Sequence, residues 1–189
     1  MLKTKHVRRT FAPLLAGLAS IIALASPSLA GEEQVINAFS TWEGSGQMVQ
    51  TGANTSTFVG TLTGAVYIES AEDGPLYAGT MTCPAVLEVN LEDGSQSAKG
   101  DCAIDLQDGA RVFASIACTG YYLVGCRGDF TIKGGTGRLE GVSGSGPVLF
   151  RSHLHEMALT AGQPVERRDA GIAVFRNLKV VLPDAAAKP

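Results

Sequence analysis

The stretch Ser56–Glu69 reads STFVGTLTGAVYIE, and its side-chain types alternate with a period of two residues. One face would carry its larger apolar side chains, which are Phe58, Leu62, Val66 and Ile68, with Gly60 and Gly64 between them. The opposite face would carry Thr57, Val59, Thr61, Thr63, Ala65 and Tyr67. A period of two in threonine and β-branched residues is typical of a strand and not of a helix. The stretch therefore predicts a β-strand with one face in the core.

The same alternation recurs in Cys83–Leu91 and in Gly171–Leu182. Dipeptides that favour tight hairpin turns separate such segments, at Asp73-Gly74, Asp93-Gly94, Asp108-Gly109 and Gly134-Gly135. After residue 30, no stretch of ten or more residues has helical periodicity. We predict an all-β domain over residues 31–182, a single antiparallel meander of about eight strands, and a disordered tail over residues 183–189. Barrel and sandwich are both compatible with the pattern, and the glycines within strands favour the barrel.

Residues 1–30 have the organisation of a secretory signal peptide. Four basic side chains precede the apolar stretch Leu14–Ala25, and small residues follow in Ser26–Ala30. We expect cleavage after Ala30 and a periplasmic or secreted mature protein. The pair Arg8-Arg9 also fits a twin-arginine signal, but four cysteines in the mature chain suit oxidation after export, which favours the general secretory route.

The charge balance excludes some classes of partner. The chain has 15 Lys+Arg and 18 Asp+Glu, and residues 1–30 hold four of the basic residues and none of the acidic ones. The mature chain therefore has a net charge of −7, against −3 for the full sequence. An acidic protein is a poor binder of nucleic acid or anionic membranes. No second apolar run approaches the ~18 residues of a membrane span.

Four cysteines, an even number in an exported chain, predict disulfides. They are Cys83, Cys102, Cys118 and Cys126. Three connectivities are possible. We expect the one in which both bonds close local loops, Cys83–Cys102 with Cys118–Cys126. Zinc binding by four thiols is the alternative, but no Cys-x-x-Cys spacing supports it.

The most distinctive segment is glycine-rich. Gly134–Leu139 reads GGTGRL and is followed by Gly141 and by Gly144-x-Gly146. It lacks the Gly-Lys-Ser/Thr ending of a phosphate loop. It resembles the turn-and-strand signature of the allene oxide cyclase and dirigent group, which are eight-stranded barrels with a central cavity. The longer stretch Lys99–Gly146, with its cysteines, looks still more like exported proteobacterial proteins of unassigned function. The resemblance implies a barrel with an apolar cavity, and no catalytic set carries over residue by residue.

The best local candidate for a metal site is Arg151-Ser152-His153-Leu154-His155. On a strand, Arg151, His153 and His155 would share one face, where alternate histidines can bind a divalent metal together. Val148, Phe150, Leu154 and Ala158 would then form the core face, so a solvated histidine row is the alternative interpretation.

Four further residues are candidate ligand contacts. Arg176 falls within the apolar series Ile172, Val174, Leu178, Val180 and Leu182, and a guanidinium facing a barrel interior would need a carboxylate partner. Glu69, Glu88 and Glu156 are the candidates for that partner. Tyr121 and Tyr122, together with Trp42, could stack on a planar ligand. The alternatives are an Arg176 that reaches water along its stem and aromatic residues that serve only turn and core.

We therefore predict a small exported barrel that binds an apolar or amphipathic small molecule, and no motif calls for a cofactor. A cyclase or isomerase that acts by positioning its substrate is one alternative. A structural envelope protein with a filled core is the other. A cavity of about 300 Å³ or more would favour binding or catalysis.

Overall fold

The computed structural model describes residues 31, 33–158 and 164–183, so the predicted signal peptide and most of the predicted tail lie outside the described residues. Eight strands account for most of this part of the chain: β1 (Glu33–Gly52), β2 (Thr55–Ser70), β3 (Gly74–Asn90), β4 (Ser95–Leu106), β5 (Arg111–Tyr121), β6 (Gly125–Gly135), β7 (Ser143–Ala158) and β8 (Val165–Val181). A 3₁₀ turn, Gly137–Leu139, lies between β6 and β7. No helix in the described ranges is long and apolar enough to cross a membrane.

The strands form one closed antiparallel barrel. Each strand pairs with the next along the chain, and β8 pairs with β1. The predicted eight-stranded barrel is therefore confirmed, and the sandwich is wrong. Three of the predicted turns connect strands as expected, because Gly74, Gly94 and Gly109 adopt φ values of 73°, 72° and 82°. The fourth prediction is wrong: Gly134-Gly135 ends β6, and the connection runs on through the 3₁₀ turn.

The two ends of the barrel differ in what covers them. At one end lie the short turns that follow β1, β3 and β5, and we call it the hairpin end. At the other lie the start of β1, the end of β8 and the turns after β2, β4 and β6, and we call it the terminus end. Leu139 and Val142 of the β6–β7 connection are buried there.

Two disulfides join neighbouring strands in the pairing expected from the sequence. Cys83 in β3 bonds to Cys102 in β4, with an S–S distance of 2.05 Å. Cys118 in β5 bonds to Cys126 in β6. All four cysteines are buried inside the barrel. We refer to the pairs as the β3–β4 disulfide and the β5–β6 disulfide.

The alternation predicted for β2 is confirmed where Phe58 and Val66 are buried, but the one predicted for β8 is wrong over half its length. The interior residues are Gly171, Ala173 and Phe175, and then Leu178 and Val180. A β-bulge causes this change of phase. Arg176 and Asn177 together oppose Asn37 of β1, with Asn177 at φ 51° and its backbone N–H donating to Asn37 Oδ1 at 2.9 Å.

Candidate ligand-binding site

The barrel interior is filled at its waist and open towards both ends. Buried side chains close the waist, and they include Ser40, Cys102, Ala114, Val148 and Ala173. A cavity of about 90 Å³ lies towards the hairpin end, and one of about 210 Å³ lies towards the terminus end. Neither reaches the volume of about 300 Å³ that would favour binding or catalysis, so cavity volume does not support either function, and each cavity has room only for a compact molecule.

The hairpin-end cavity has a largely apolar wall contributed by most of the strands. Phe58, Leu62, Leu87, Ile116, Phe150 and three of the disulfide cysteines line it, together with Trp42. Glycines make room for two of its rings, those of Phe58 and Trp42. A Cβ on Gly60 would lie 2.3 Å from Phe58 Cζ, and one on Gly171 would lie 2.7 Å from Trp42 Cζ2. Because the rings lie over bare backbone, each of these positions requires glycine.

Three ionisable side chains form a connected network beside this cavity. The Arg167 Nε atom lies 2.6 Å from Asp169 Oδ2, and His155 Nδ1 lies 2.7 Å from Asp169 Oδ1. His155 Nε2 lies 3.2 Å from the backbone oxygen of Leu123, in the β5–β6 turn. Arg167 and Asp169 have side chains only 5% and 7% exposed. Charges this deeply buried are rare unless they are paired, and here they line a cavity.

Arg167 is also held between two aromatic rings. Its guanidinium carbon lies 5.4 Å from the Phe58 ring centroid and 4.7 Å from that of Tyr122. Both distances suit cation–π attraction. Burial raises the pKa of the Tyr122 phenol, an effect that the nearby positive charge of Arg167 opposes and the negative charge of Asp169 reinforces.

Two buried donors in the cavity wall have no hydrogen-bond acceptor within the part of the chain that the structure describes. They are Trp42 Nε1 and Arg167 Nη1. Arg167 Nε also lacks a directed hydrogen bond, although it is in ionic contact with Asp169 Oδ2. Unpaired buried donors are uncommon in native proteins. Both donors belong to residues that line the hairpin-end cavity, and among the described residues no such donor belongs to the lining of the terminus-end cavity.

The terminus-end cavity is larger but chemically simpler. Its wall is apolar except for Arg138, and it includes Ile36, Met81, Leu106, Phe130, Leu139 and Leu182. Arg138 is half-exposed and pairs with Asp108, which is how the pKa of the Asp108 carboxyl comes to lie below its ordinary value. This cavity offers apolar contact and lacks the buried polar network of the other end.

The structure places Arg176 outside the barrel, where its side chain is exposed. The predicted interior position is wrong, because the bulge at Arg176 and Asn177 shifts the phase of β8. Upstream of that bulge, the shift turns Arg167 and Asp169 inwards. The buried arginine of β8 is therefore Arg167, which the sequence argument did not single out.

A second bulge separates the two predicted metal ligands. It lies between Ser152 and Leu154 in the pairing of β7 with β8, so Arg151, His153 and His155 do not form one row. His153 is exposed, whereas His155 is half-buried opposite Asp169. Leu154, expected in the core, is exposed. Among the described residues, no group of three or more histidine, cysteine, aspartate or glutamate side chains is arranged to hold a metal ion.

The two adjacent tyrosines have different environments. Tyr121 is exposed and lies outside the lining of the hairpin-end cavity. Tyr122 is half-buried, and it reaches the site through its contact with Arg167. Of the four ligand contacts predicted from the sequence, Trp42 lines the hairpin-end cavity and Tyr122 lies beside the polar network, whereas Tyr121 and Arg176 do neither.

No protein-family model and no curated protein match the chain. Among solved structures, it is similar to the pterocarpan synthase dirigent protein GePTS1. The two chains are 11% identical, the match covers 77% of this chain and 93% of the other, and the TM-score is 0.33. A similarity of this size assigns neither an activity nor a ligand to this chain.

Proposed function

We propose that the protein is an exported β-barrel that binds a small amphipathic molecule in its hairpin-end cavity. One observation supports this best: an apolar cavity holds a buried arginine that is only partly satisfied by its partners. Convergent polar groups in an apolar pocket are the usual mark of a small-molecule site. Export is supported by the signal-like residues 1–30, and the two disulfides are compatible with it.

The size of the cavity limits the ligand. A volume of about 90 Å³ is several times the 10–15 Å³ that a single water requires, and it corresponds to a short chain or a single ring. The filled waist prevents a longer molecule from extending through to the terminus end. The ligand of the hairpin-end cavity is therefore compact.

The residues that would contact the ligand follow from the lining. Trp42, Phe58 and Phe150 supply apolar surface, and Arg167 supplies the polar contact. Tyr122 supports the site by holding Arg167 in place. Arg176, being exposed, provides a matched control for Arg167 on the same strand.

The chain carries its own reporter of binding. Trp42 is the single tryptophan, and it lines the cavity while only 6% exposed. The protein would be purified from the periplasm of its own source and examined by native mass spectrometry, and the stripped protein would then be titrated with the released compound while Trp42 emission is followed. We expect a bound small molecule and a saturable change in emission that Arg167→Met weakens and Arg176→Met does not. Native protein without any bound molecule would argue for the structural alternative.

A second candidate function is catalysis, and the contact between His155 and Asp169 favours it. A histidine oriented by a carboxylate is a common arrangement for proton transfer, and to act on a substrate His155 would have to exchange its Nε2 contact with the Leu123 oxygen for a substrate atom. If the protein is an enzyme, the wild type should convert the molecule that it binds, and His155→Gln should bind that molecule with little conversion. Equal conversion by the two proteins would exclude this role for His155.

A further inference from the structure

The β5–β6 turn, residues 122–124, lies at the mouth of the hairpin-end cavity. Leu123 lines that cavity and is also about half-exposed. Its backbone has a φ of 64°, a left-handed conformation that leucine seldom adopts. Such residues persist where the surrounding structure holds them, and they cluster at ligand clamps and switch regions. The turn is therefore a cover for the cavity, and its conformation depends on the contacts that hold it.

The contacts between this turn and β7 are few. The ladder that joins β6 to β7 ends at Arg151, although β7 continues beyond it. Within the described residues, two further hydrogen bonds join β7 to the turn. The Ser152 backbone N–H donates to the Val124 oxygen at 3.5 Å, and His155 Nε2 lies 3.2 Å from the oxygen of Leu123. Since the first bond is longer than an ordinary N–H···O bond, His155 is the principal tie between β7 and the turn.

Both nitrogens of the His155 ring face oxygen atoms that act as acceptors. Nδ1 lies 2.7 Å from the carboxylate oxygen Oδ1 of Asp169, and Nε2 faces the carbonyl of Leu123. A neutral imidazole has one N–H and can donate to only one of these atoms, whereas an imidazolium donates to both. The arrangement in which His155 ties β8 and the turn together is therefore complete only when the ring is protonated.

His155 is the member of this network whose hydrogen bonding changes near neutral pH. The charged and titratable groups around it are Asp169 and Arg167 from β8 and Tyr122 from the turn. A carboxylate paired with a guanidinium is an acceptor throughout this range. Burial raises the pKa of the Tyr122 phenol above its ordinary value of about 10, so that group stays neutral. An imidazole, by contrast, ordinarily changes charge between about pH 5 and about pH 8.

We propose that the β5–β6 turn is a lid on the hairpin-end cavity, held shut by the protonated His155 ring and released when that ring loses its proton. The neutral ring keeps one N–H. That donor stays with Asp169, because a hydrogen bond to an ionised acceptor is the stronger of the two, and the Leu123 oxygen loses its partner. As a control on ligand access, this inference rests on the proposed function.

The single tryptophan allows a test without any ligand. Trp42 lines the hairpin-end cavity, so quenching of its emission by acrylamide, a small uncharged solute, measures access to that cavity. The full mature protein would be compared at about pH 5 and at about pH 8, on either side of the imidazole range. We expect the open population to be at least about tenfold greater at the higher pH, the factor for one hydrogen bond to a charged donor, and the quenching constant should rise with it.

Two histidines provide a matched pair of variants. His6 belongs to the predicted signal peptide, so the predicted mature chain has His153 and His155. His155→Gln should abolish the pH dependence of quenching, whereas His153→Gln, at an exposed position of the same strand, should keep it. Hydrogen exchange of the Ser152 amide, which donates to the lid, should follow the same pattern when it is expressed relative to the intrinsic rate at each pH. The Gly109 amide, in the β4–β5 turn at the other end of the barrel, should show no such change.

The outcomes separate the lid from the ligand. Equal quenching of the wild type at the two pH values would overturn the inference, and so would a change that His155→Gln retains in full. A change that His153→Gln abolishes would assign the effect to the exposed histidine and overturn it as well. None of these results affects the proposed function, since no ligand is present in the measurement. That function fails if the native protein carries no molecule from its source, whatever the quenching shows.

Discussion

The buried pair formed by Arg167 and Asp169 allows the sharpest test of the structure. Replacing its two members singly and together separates the stabilisation that comes from their pairing from the effect of each side chain alone. The perturbation is a double-mutant cycle with Arg167→Met, Asp169→Leu and the two combined. Each replacement approximates the length of the side chain and removes its charge. Both side chains are at most 7% exposed, so solvent cannot compensate a charge that loses its partner.

The magnitudes follow from what each single variant leaves behind. Removing one partner of a buried ion pair costs about 3–5 kcal/mol, whereas replacing both by apolar residues is often neutral or stabilising. Arg167→Met leaves Asp169 in contact with His155, while Asp169→Leu leaves Arg167 with only two aromatic rings. We therefore expect Asp169→Leu to cost about 1 kcal/mol more than Arg167→Met, since a charge-assisted hydrogen bond exceeds a cation–π contact by about that amount.

The free energy of unfolding would be measured in urea, with Trp42 emission as the probe. The double variant should be within about 1 kcal/mol of the wild type or more stable than it, while each single variant loses several times that amount. If the two single effects simply add in the double variant, to within about 0.5 kcal/mol, the residues are not coupled and the described pair is incorrect. A double variant that is stable yet does not bind the ligand would indicate that the pair exists for binding.

Three other outcomes are expected. Replacing both cysteines of a disulfide by alanine should lower the free energy of unfolding by about 3.2 kcal/mol for the β3–β4 disulfide and about 2.5 kcal/mol for the β5–β6 disulfide, because the bonded residues are 19 and 8 positions apart. Urea titration of the two variants measures both losses. A larger loss for the shorter loop, that of the β5–β6 disulfide, would contradict this expectation. In alkaline titration followed by ultraviolet absorbance, the wild type should show a tyrosine that ionises above the ordinary value of about 10, and Tyr122→Phe should abolish that component. Because burial raises this pKa, the phenol's contribution to stability is complete below pH ~10 and declines as the pH rises through the folded-state pKa, so Tyr122→Phe should flatten the loss of stability in that range. Metal content should be the same in the wild type and in the His153→Ala/His155→Ala variant, since the β7 bulge separates these side chains; a stoichiometric metal lost in the variant would restore the predicted metal site.

The barrel could be predicted from the sequence because it depends on local, repeated signals. Alternation with a period of two identified the strands, and Asp-Gly pairs identified three of the turns. Both disulfides followed from the order of the strands, since neighbours in a meander are neighbours in space. The glycines inside strands had a further role that the sequence did not show: Gly60 and Gly171 accommodate Phe58 and Trp42 in the cavity wall.

The site could not be predicted because it depends on the phase of two strands beyond their bulges. A bulge adds one residue and exchanges the inner and outer faces of everything that follows. In β8, extending the alternation of Leu178 and Val180 backwards puts Arg168 and Ala170 inside and Arg167 and Asp169 outside, which is the reverse of the observed arrangement. A signal was present in Asn177, because asparagine is unusual within a strand and tolerates a positive φ.

The two bulges and the polar network form one arrangement. The β8 bulge turns Arg167 and Asp169 towards the cavity, and the β7 bulge turns His155 to the same side, opposite Asp169. Without the first bulge the cavity would be lined by the residues that now face outwards, and without the second Asp169 would lose its contact with His155. Bulges interrupt the ladder of backbone hydrogen bonds, and they are common beside functional sites, where they redirect side chains. Two of them act on one buried network, although an apolar interior would satisfy the barrel with fewer buried charges. The proposed binding of a small molecule would explain why the barrel keeps these charges.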